Sequence, residues 1–549
     1  MGCLVVGLSA CTDNTFSYDD YWLDDDKTNT NPSDSTGTDD NEPTYDFALM
    51  SKNVSVDPDT RYQVLEGIGA SDCWLPATIG RAWTGKRQQL AKWLFSQEIL
   101  NGVPQGIGLS TWRVNLGAGT EELGADSGID DDNKYNRAPS YYVGTAESGS
   151  YDWTHCPGQR YFMEQAKAMG VESFVLFSNS PLVQFTYNGK GKSNRGARAN
   201  LKAEYFDDFA DYMATVAQHF TAEGYNISHI SPVNEPQYNW NGSNQEGSGW
   251  RNAEVARIAR ELEKALDAKG IPTKISLGEA GSYPCLYQGN DARENVLDNF
   301  FTSGKDAYIG DLKRVDNISA HSYFTDGNWA DMRSVRSLTK EAVDKYGVKL
   351  WQSEWSMLVQ GDNHYGENLG DHTTPWDIAQ WMSTVMHNDF TVAGVTAWHY
   401  WTAMSVERWS QMDRFMLINC VPAGGNYSND FEAEGTIEAF PTLWVLGNYS
   451  LFIRPGFQRI DLNMIDSQNF FGNAWISPDG KRIVCVYTNR MADRGVKLKV
   501  NYGGWPSQPK EIWRNTTTAD KHLEGSRCDV KFPVVCEPGS VTTVVYDLE

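Results

Sequence analysis

Two glutamates stand where short apolar runs give way to polar sequence. Glu235 follows Asn234 and precedes Pro236 in SPVNEPQYNW, and Glu354 sits between Ser353 and Trp355 in LWQSEWSM. A pair of carboxyls held on opposite sides of a bond suits glycosidic cleavage, in which one donates a proton to the leaving oxygen while the other attacks the anomeric carbon. That division of labour needs two pKa values pushed apart. A protonated Glu235 serves as acid and an ionised Glu354 as nucleophile, with Arg113 or Tyr323 as donors that hold the charge. Retention of configuration further requires carboxyl groups about 5 to 5.5 Å apart. Taken singly, a strand-end glutamate is more commonly a salt-bridge partner; the pair, with Asn-Glu-Pro, points to chemistry.

These residues are far apart in the chain and need a frame. From about Tyr62 the sequence alternates short apolar runs with longer amphipathic segments. The strand candidates are Val64 to Ser71, Ile107 to Asn115, Ser173 to Ser178, Ile230 to Asn234, Lys274 to Glu279, Asn317 to Tyr323, Lys349 to Glu354 and Val395 to Trp401. Between them, Ala203 to Glu223 carries Phe206, Phe209, Met213, Val216 and Phe220 three or four apart, which predicts one apolar helix face. Asn252 to Lys269 repeats Val255, Ile258, Leu262 and Leu266, then stops at Gly270 and Pro272. Parallel strands need crossover helices, and eight such units close around a filled interior. The reading is an α/β fold, a (β/α)8 TIM barrel over residues 63–440, with its chemistry at the C-terminal strand ends where Glu235 and Glu354 fall. An open doubly wound sheet is the rival. GIGAS at Gly67 to Ser71 lacks the third glycine and the helix of a dinucleotide fingerprint, and no cofactor is expected.

After about Pro441 the texture changes to short strands with turn signals. Ala474 to Ser477, Arg482 to Thr488, Val496 to Tyr502, Glu511 to Arg514, Val530 to Val535 and Val541 to Asp547 predict an antiparallel β-sandwich over residues 441–549. Val54 and Val56 alternate in the segment 47–62, which is expected to add an N-terminal strand to that sandwich and so interlock the domains.

The 549 residues carry 71 acidic and 47 basic side chains, a formal charge of -24 that repels phosphate backbones, so nucleic acid is excluded as a partner and a neutral substrate is expected. Residues 12–46 hold ten Asp, Glu42 and one Lys among Asn, Ser, Thr and Gly, the composition of a disordered acidic tether. Before it, an apolar scrap from Val5 to Leu8 leads into Ser9, Ala10 and Cys11, which resembles a bacterial lipoprotein cleavage site with a lipidated cysteine over residues 1–11. The expectation is an exported protein, lipid-anchored at the bacterial outer membrane or cell surface, touching membrane only through that anchor. Monomer is the default state. Cys73, Cys156, Cys285, Cys420, Cys485, Cys528 and Cys536 show no CxxC or zinc-ligand spacing, and no metal site is expected. Cys528 and Cys536 are either a staple across one hairpin or two small apolar residues. The acidic run Asp126 to Asp132 lacks the glycine and glutamate positions of a calcium loop and reads as solvated.

Asn234-Glu235 at a fourth strand end and Glu354 at a seventh resemble the acid/base and nucleophile of clan A glycoside hydrolases. GIGAS, NSP at Asn179 to Pro181 and the C-terminal sandwich resemble glycoside hydrolase family 30 over about residues 47–549. Within that family GIGLSTWRVNLGAG, DSGIDDD, YDWTHCPGQRYF, FSNSPLVQFTYNG and VNEPQYNW are most similar to endo-β-1,6-galactanases. The resemblance implies a retaining, endo-acting hydrolase of the β-1,6-galactan side chains of type II arabinogalactan. It places Arg113 and Asn115 at the second strand end, Asn179 at the third, His321 and Tyr323 at the sixth and Trp398 at the eighth. Asp72 and Trp74, after the first strand, are candidate sugar contacts. So are Trp240, Trp355 and Trp398 among the twenty tryptophans, because indole faces stack on the C–H faces of pyranose rings. β-1,6-Glucan, xylan and short β-galactosides or β-fucosides remain alternative substrates. A surface lipoprotein that captures glycan without cutting it would keep the aromatics but has no need of both glutamates. A serine hydrolase finds no GxSxG elbow.

Overall fold

The computed structural model describes residues 43–358, 374–408 and 414–548. Cys11 and nearly all of the acidic tether lie outside the described residues. Eight parallel strands close into a barrel: Gly67–Ser71, Thr111–Asn115, Ser173–Phe177, Ile227–Ser231, Lys274–Ala280, Val315–His321, Lys349–Trp355 and Ala397–Tyr400. Each pairs with its sequential neighbours, and the eighth returns to the first through Ala397 opposite Gly67. All eight predicted strands are present. The first strand approaches the second so closely that a Cβ on Gly67 would lie 2.1 Å from Thr111 Oγ1, which explains a glycine-rich GIGAS without any phosphate loop.

The helices are amphipathic in the way their spacing implies. Phe206–Ala222 buries Phe206, Phe209, Met213, Val216 and Phe220, and Asn252–Lys269 buries Val255, Ile258, Leu262 and Leu266 before Gly270 closes it with a left-handed φ of 65°.

The second layer is a nine-stranded, mostly antiparallel sheet. Ala48–Val64 lies inside it, antiparallel to Gln458–Asn463 and parallel to Arg494–Asn501, so one neighbour departs from the expected antiparallel pattern. Residues from both ends of the strand order, Ile512 and Cys536 among them, share one apolar core with Val54, Val56 and Trp505. The sheet is therefore curled upon itself, as in a sandwich. Three details differ from the sequence reading. Gln458–Asn463 and Glu524–Cys528 are additional strands, Pro441–Ser450 is a helix, and of the expected strand Val530 to Val535 only Val534 and Val535 are strand, within Val534–Cys536, while 530–533 form a turn. Val530 is exposed there, and Phe532 N–H donates to the Asp529 carbonyl, so apolar character marked a loop tip. Cys528 and Cys536 belong to strands at opposite sides of the sheet order and are not bonded to each other.

The helix Pro441–Ser450 ties barrel to sheet by buried hydrogen bonds. Asn448 Oδ1 accepts from Thr517 Oγ1 at 2.6 Å, and its Nδ2 donates to the Asn515 carbonyl at 3.2 Å and to Thr543 Oγ1 at 3.0 Å. Replacing Asn448 with alanine strands those partners away from water at about 1–3 kcal/mol per unsatisfied group. Asn448→Ala is expected to lower unfolding free energy by about 3 kcal/mol in denaturant titrations.

Candidate active site

The barrel mouth collects three carboxyls and two cations on neighbouring strand ends. Arg113, from the second strand and fully buried, donates through Nη1 to Glu354 Oε2 at 2.7 Å. Its Nη2 lies 3.3 Å from Asn234 Oδ1 and 3.4 Å from Glu279 Oε2, and its guanidinium stacks 3.6 Å above the Phe177 ring. Tyr323 donates its hydroxyl to Glu354 Oε1 at 3.0 Å. His321 closes the circuit, with Nδ1 3.0 Å from Glu235 Oε1 and Nε2 3.2 Å from Glu279 Oε2. One oxygen of Glu235 and one of Glu354 lie within 4.8 Å of each other. The two glutamates therefore face a common space.

The fourth strand ends at Ser231, so Glu235 sits on the following loop rather than on the strand. Its backbone is left-handed at φ 41°, as is that of Glu279 at 39°, and Glu235 N–H donates to the Glu279 carbonyl at 2.9 Å. Two bulky residues in that sparsely allowed region, joined by one hydrogen bond, are held there by the surrounding structure. Glu279 was not singled out by sequence reasoning. The available signal was an apolar strand, ISLGEA, ending on a carboxylate as the other two do.

Electrostatics follow from burial and pairing. Burial alone would raise Glu279, but the Arg113 charge, His321 and the Ser353 hydroxyl at 2.6 Å bring it down to about 2. Burial alone would lower His321; the Glu354 charge and its bonds to Glu235 and Glu279 lift it to about 10. His321 is thus an imidazolium using both N–H groups. Burial pushes Glu354 upward, opposed by the His321 and Arg113 charges and reinforced by Glu235. Glu354 is the more buried of the two paired glutamates and Glu235 the more exposed. Glu235, His321 and Glu354 are the group among the described residues whose donor atoms, all within 4.8 Å of one another, cluster closely enough for a metal ion.

The remaining predicted residues divide. Asn115 and Asn179 meet at the mouth, Asn179 Nδ2 donating to Asn115 Oδ1 at 3.2 Å. Asn179 Oδ1 and the Trp74 indole N–H have no protein partner. Trp74 packs edge-on against Trp401 at 5.2 Å, and both are partly exposed. Trp401 was not anticipated, although AWHYW shows it ending the eighth strand. Asp72 is not free to meet a sugar: Asn115 N–H and Gln159 Nε2 each reach one of its oxygens at 2.7 Å, and burial raises it to about 7. Trp355 and Trp398 are fully buried, their indole N–H groups donating to Asp326 and Asp389 at 2.9 Å, and Trp240 is 3% exposed. These three indoles are packing, because proximity to a strand end does not fix which way a ring points.

A closed parallel barrel with paired glutamates on its fourth and seventh strand ends is the architecture of a glycoside hydrolase. The chain belongs to O-glycosyl hydrolase family 30, whose model matches residues 51–415. It is 25% identical over 387 residues to an endo-β-1,6-galactanase from Hypocrea rufa, covering 67% of this chain and 72% of that one. Among solved structures, a conserved exported protein from Bacteroides fragilis is similar at 28% identity with a TM-score of 0.81, covering 90% of this chain and 100% of that one. The catalytic domain of a family 30 xylanase C from Talaromyces cellulolyticus shares the fold at 17% identity and a TM-score of 0.64, covering 90% and 100% of the two chains.

One further buried carboxyl braces the mouth. Glu246, on the loop after the fourth strand, accepts from Ala118 N–H at 3.0 Å and Thr120 Oγ1 at 2.6 Å on the loop after the second, and burial raises it to about 8. An acid raised on folding carries no penalty below its unfolded pKa and a growing one as pH climbs toward the folded value. Between pH 5 and 8 this group alone is expected to cost on the order of 3 kcal/mol of stability. Glu246→Gln, which mimics the protonated form, is expected to flatten that pH slope in denaturation curves at the two pH values.

Proposed function

We propose that the chain hydrolyses β-1,6-linked galactan with net retention, Glu354 acting as nucleophile and Glu235 as acid/base. The observation that carries this is the approach of their oxygens to within 4.8 Å, the close spacing used by double displacement rather than the wider gap that admits water. The hydrogen bonds support the assignment. Arg113 and Tyr323 both donate to Glu354, so with substrate bound the charge belongs on Glu354 and the proton on Glu235.

In the first step a Glu354 oxygen bonds to the anomeric carbon, the glycosidic C–O bond breaks and Glu235 gives its proton to the departing oxygen. In the second, Glu235 takes a proton from water, the water oxygen bonds to the same carbon and the ester bond to Glu354 breaks. Asn179 Oδ1 and the Trp74 indole N–H, on the segments after the third and first strands, are a buried acceptor and donor without a protein partner, suited to hydroxyls of a bound sugar. The galactan preference and endo action rest on the named galactanase relative and on the motifs shared with that group. Export is supported by the similar Bacteroides fragilis protein. Anchoring through Cys11 completes the reading of a tethered depolymerase. No helix among the described residues is long and apolar enough to cross a membrane.

Incubation with β-1,6-galactan, β-1,6-glucan and xylan, with products sized by chromatography, tests substrate and mode together; oligogalactosides from the first alone are expected. Proton NMR of the earliest product is expected to show the β anomer, and an initial α anomer would refute double displacement. Glu354→Gln is expected to lower kcat on the order of 10⁴-fold or more without loss of folded protein. Glu235→Ala should lose about 10²–10⁴-fold. Added azide should rescue Glu354→Gly, which vacates the nucleophile's space, to the α-glycosyl azide, and Glu235→Ala to the β-glycosyl azide.

A further inference from the structure

Two large aromatic side chains stand exposed just beyond the strand ends that carry the site. Phe324, after the sixth strand, is 68% exposed, and Tyr238, on the loop after the fourth, is 55% exposed. Neither is at the end of a slack loop. Phe324 has a left-handed φ of 61°, a conformation costing an aromatic residue about 1–3 kcal/mol, and its ring stays in water. The residues around it are clamped from beneath. The Arg336 guanidinium donates to the Thr325 carbonyl at 2.8 Å, and Thr325 Oγ1 to the Ser322 carbonyl at 2.7 Å. Indoles of Trp355 and Trp381 donate to Asp326 Oδ2 at 2.9 Å and the Asp326 carbonyl at 3.0 Å. Tyr323, on the same short segment, touches Glu354, and its ring centroid is 6.3 Å from that of Phe324. Tyr238 N–H donates to the Glu235 carbonyl at 3.0 Å, and its ring stands edge-on against buried Trp240 at 5.0 Å.

The strand order places these two rings on either side of the fifth strand, whereas Trp74 and Trp401 follow the adjacent first and eighth strands across the mouth. Glu235 follows the fourth strand, on the loop that carries Tyr238, and Glu354 is on the seventh, which pairs with the sixth that precedes Phe324. We infer that Phe324 and Tyr238 form the platform for the leaving-group sugar, the ring that departs with the oxygen Glu235 protonates. Tyr238 shares its loop with that acid, so a group receiving its proton lies over this side of the mouth. Trp74, whose indole N–H has no protein partner and suits a ring hydroxyl, follows the first strand, three positions round the barrel from the fourth. An exposed aromatic face is matched by the apolar C–H face of a pyranose. This deepens the proposed function and rests on it.

The test compares a β-1,6-galacto-oligosaccharide with β-galactosyl fluoride, whose leaving group has no ring to stack. Phe324→Ala and Tyr238→Ala are expected to lose tenfold or more in kcat/KM on the oligosaccharide while matching wild type on the fluoride, with Phe324→Trp near wild type on both. Transfer to an added galactoside acceptor, which occupies the same platform, is expected to fall in parallel. Equal rates on the oligosaccharide for wild type and Phe324→Ala, or an equal loss on both substrates, overturns the platform. A wild-type chain inert on both substrates overturns the galactan reading and the platform with it.

Discussion

The barrel mouth is organised around one buried charge. Arg113 has no exposed surface, and removing a guanidinium from water costs several kcal/mol unless its hydrogen bonds are remade inside. At its two terminal nitrogens they are remade by Glu354, Glu279 and Asn234, from the seventh and fifth strands and the loop after the fourth, while Nε has no partner and Phe177 of the third covers its face. Satisfying this ion therefore brings the ends of several strands to one place. His321 is bound into the same circuit by Glu279, and through His321 the position of Glu235 is set. Removing Glu279 would leave two buried cations short of an anion, so a residue with no need to touch substrate governs both glutamates that do the proposed chemistry.

A second buried network supports the rim. Asp389 accepts from Arg336 at 2.7 Å and from Tyr283 and Trp398 at 2.9 Å. Arg336 in turn holds the segment carrying Tyr323 and Phe324. The eighth strand and the loops after the fifth and sixth are thus connected through one carboxylate. On the outside, Pro441–Ser450 and the helix Pro375–Asn388 bond to the sheet through Asn448 and through Ser383, which meets Thr488 at 2.6 Å. The chain enters the sheet at Ala48 before it starts the barrel and returns to it afterward, so neither layer is finished without the other.

Much of this was legible in the chain. Strands such as Ser173–Phe177 and helices such as Asn252–Lys269 follow from runs and spacings that local sterics and burial impose on neighbours in sequence. The paired glutamates were found because strand ends of a barrel are where polar groups face solvent and substrate, with Arg113 and Tyr323 as their candidate donors, whereas His321 came from the family resemblance. Three tryptophans were assigned to the site and belong to the core. A large apolar ring satisfies either environment, and Trp355 and Trp398 show that a buried aspartate partner, invisible in the local sequence, decides between them. Glu279 was missed for the converse reason, since its importance lies wholly in partners from other strands.

By itself, then, the sequence determined the elements, their order, the closed parallel arrangement and the family, because each rests on residue types and on spacings within a few positions. Tertiary structure alone decided the distance between Glu235 and Glu354, the protonated state of His321, and which aromatic rings remain in water. Those quantities depend on how closure of the barrel places atoms that are tens to hundreds of residues apart in the chain, and electrostatic coupling at a few ångströms has no counterpart in local pattern.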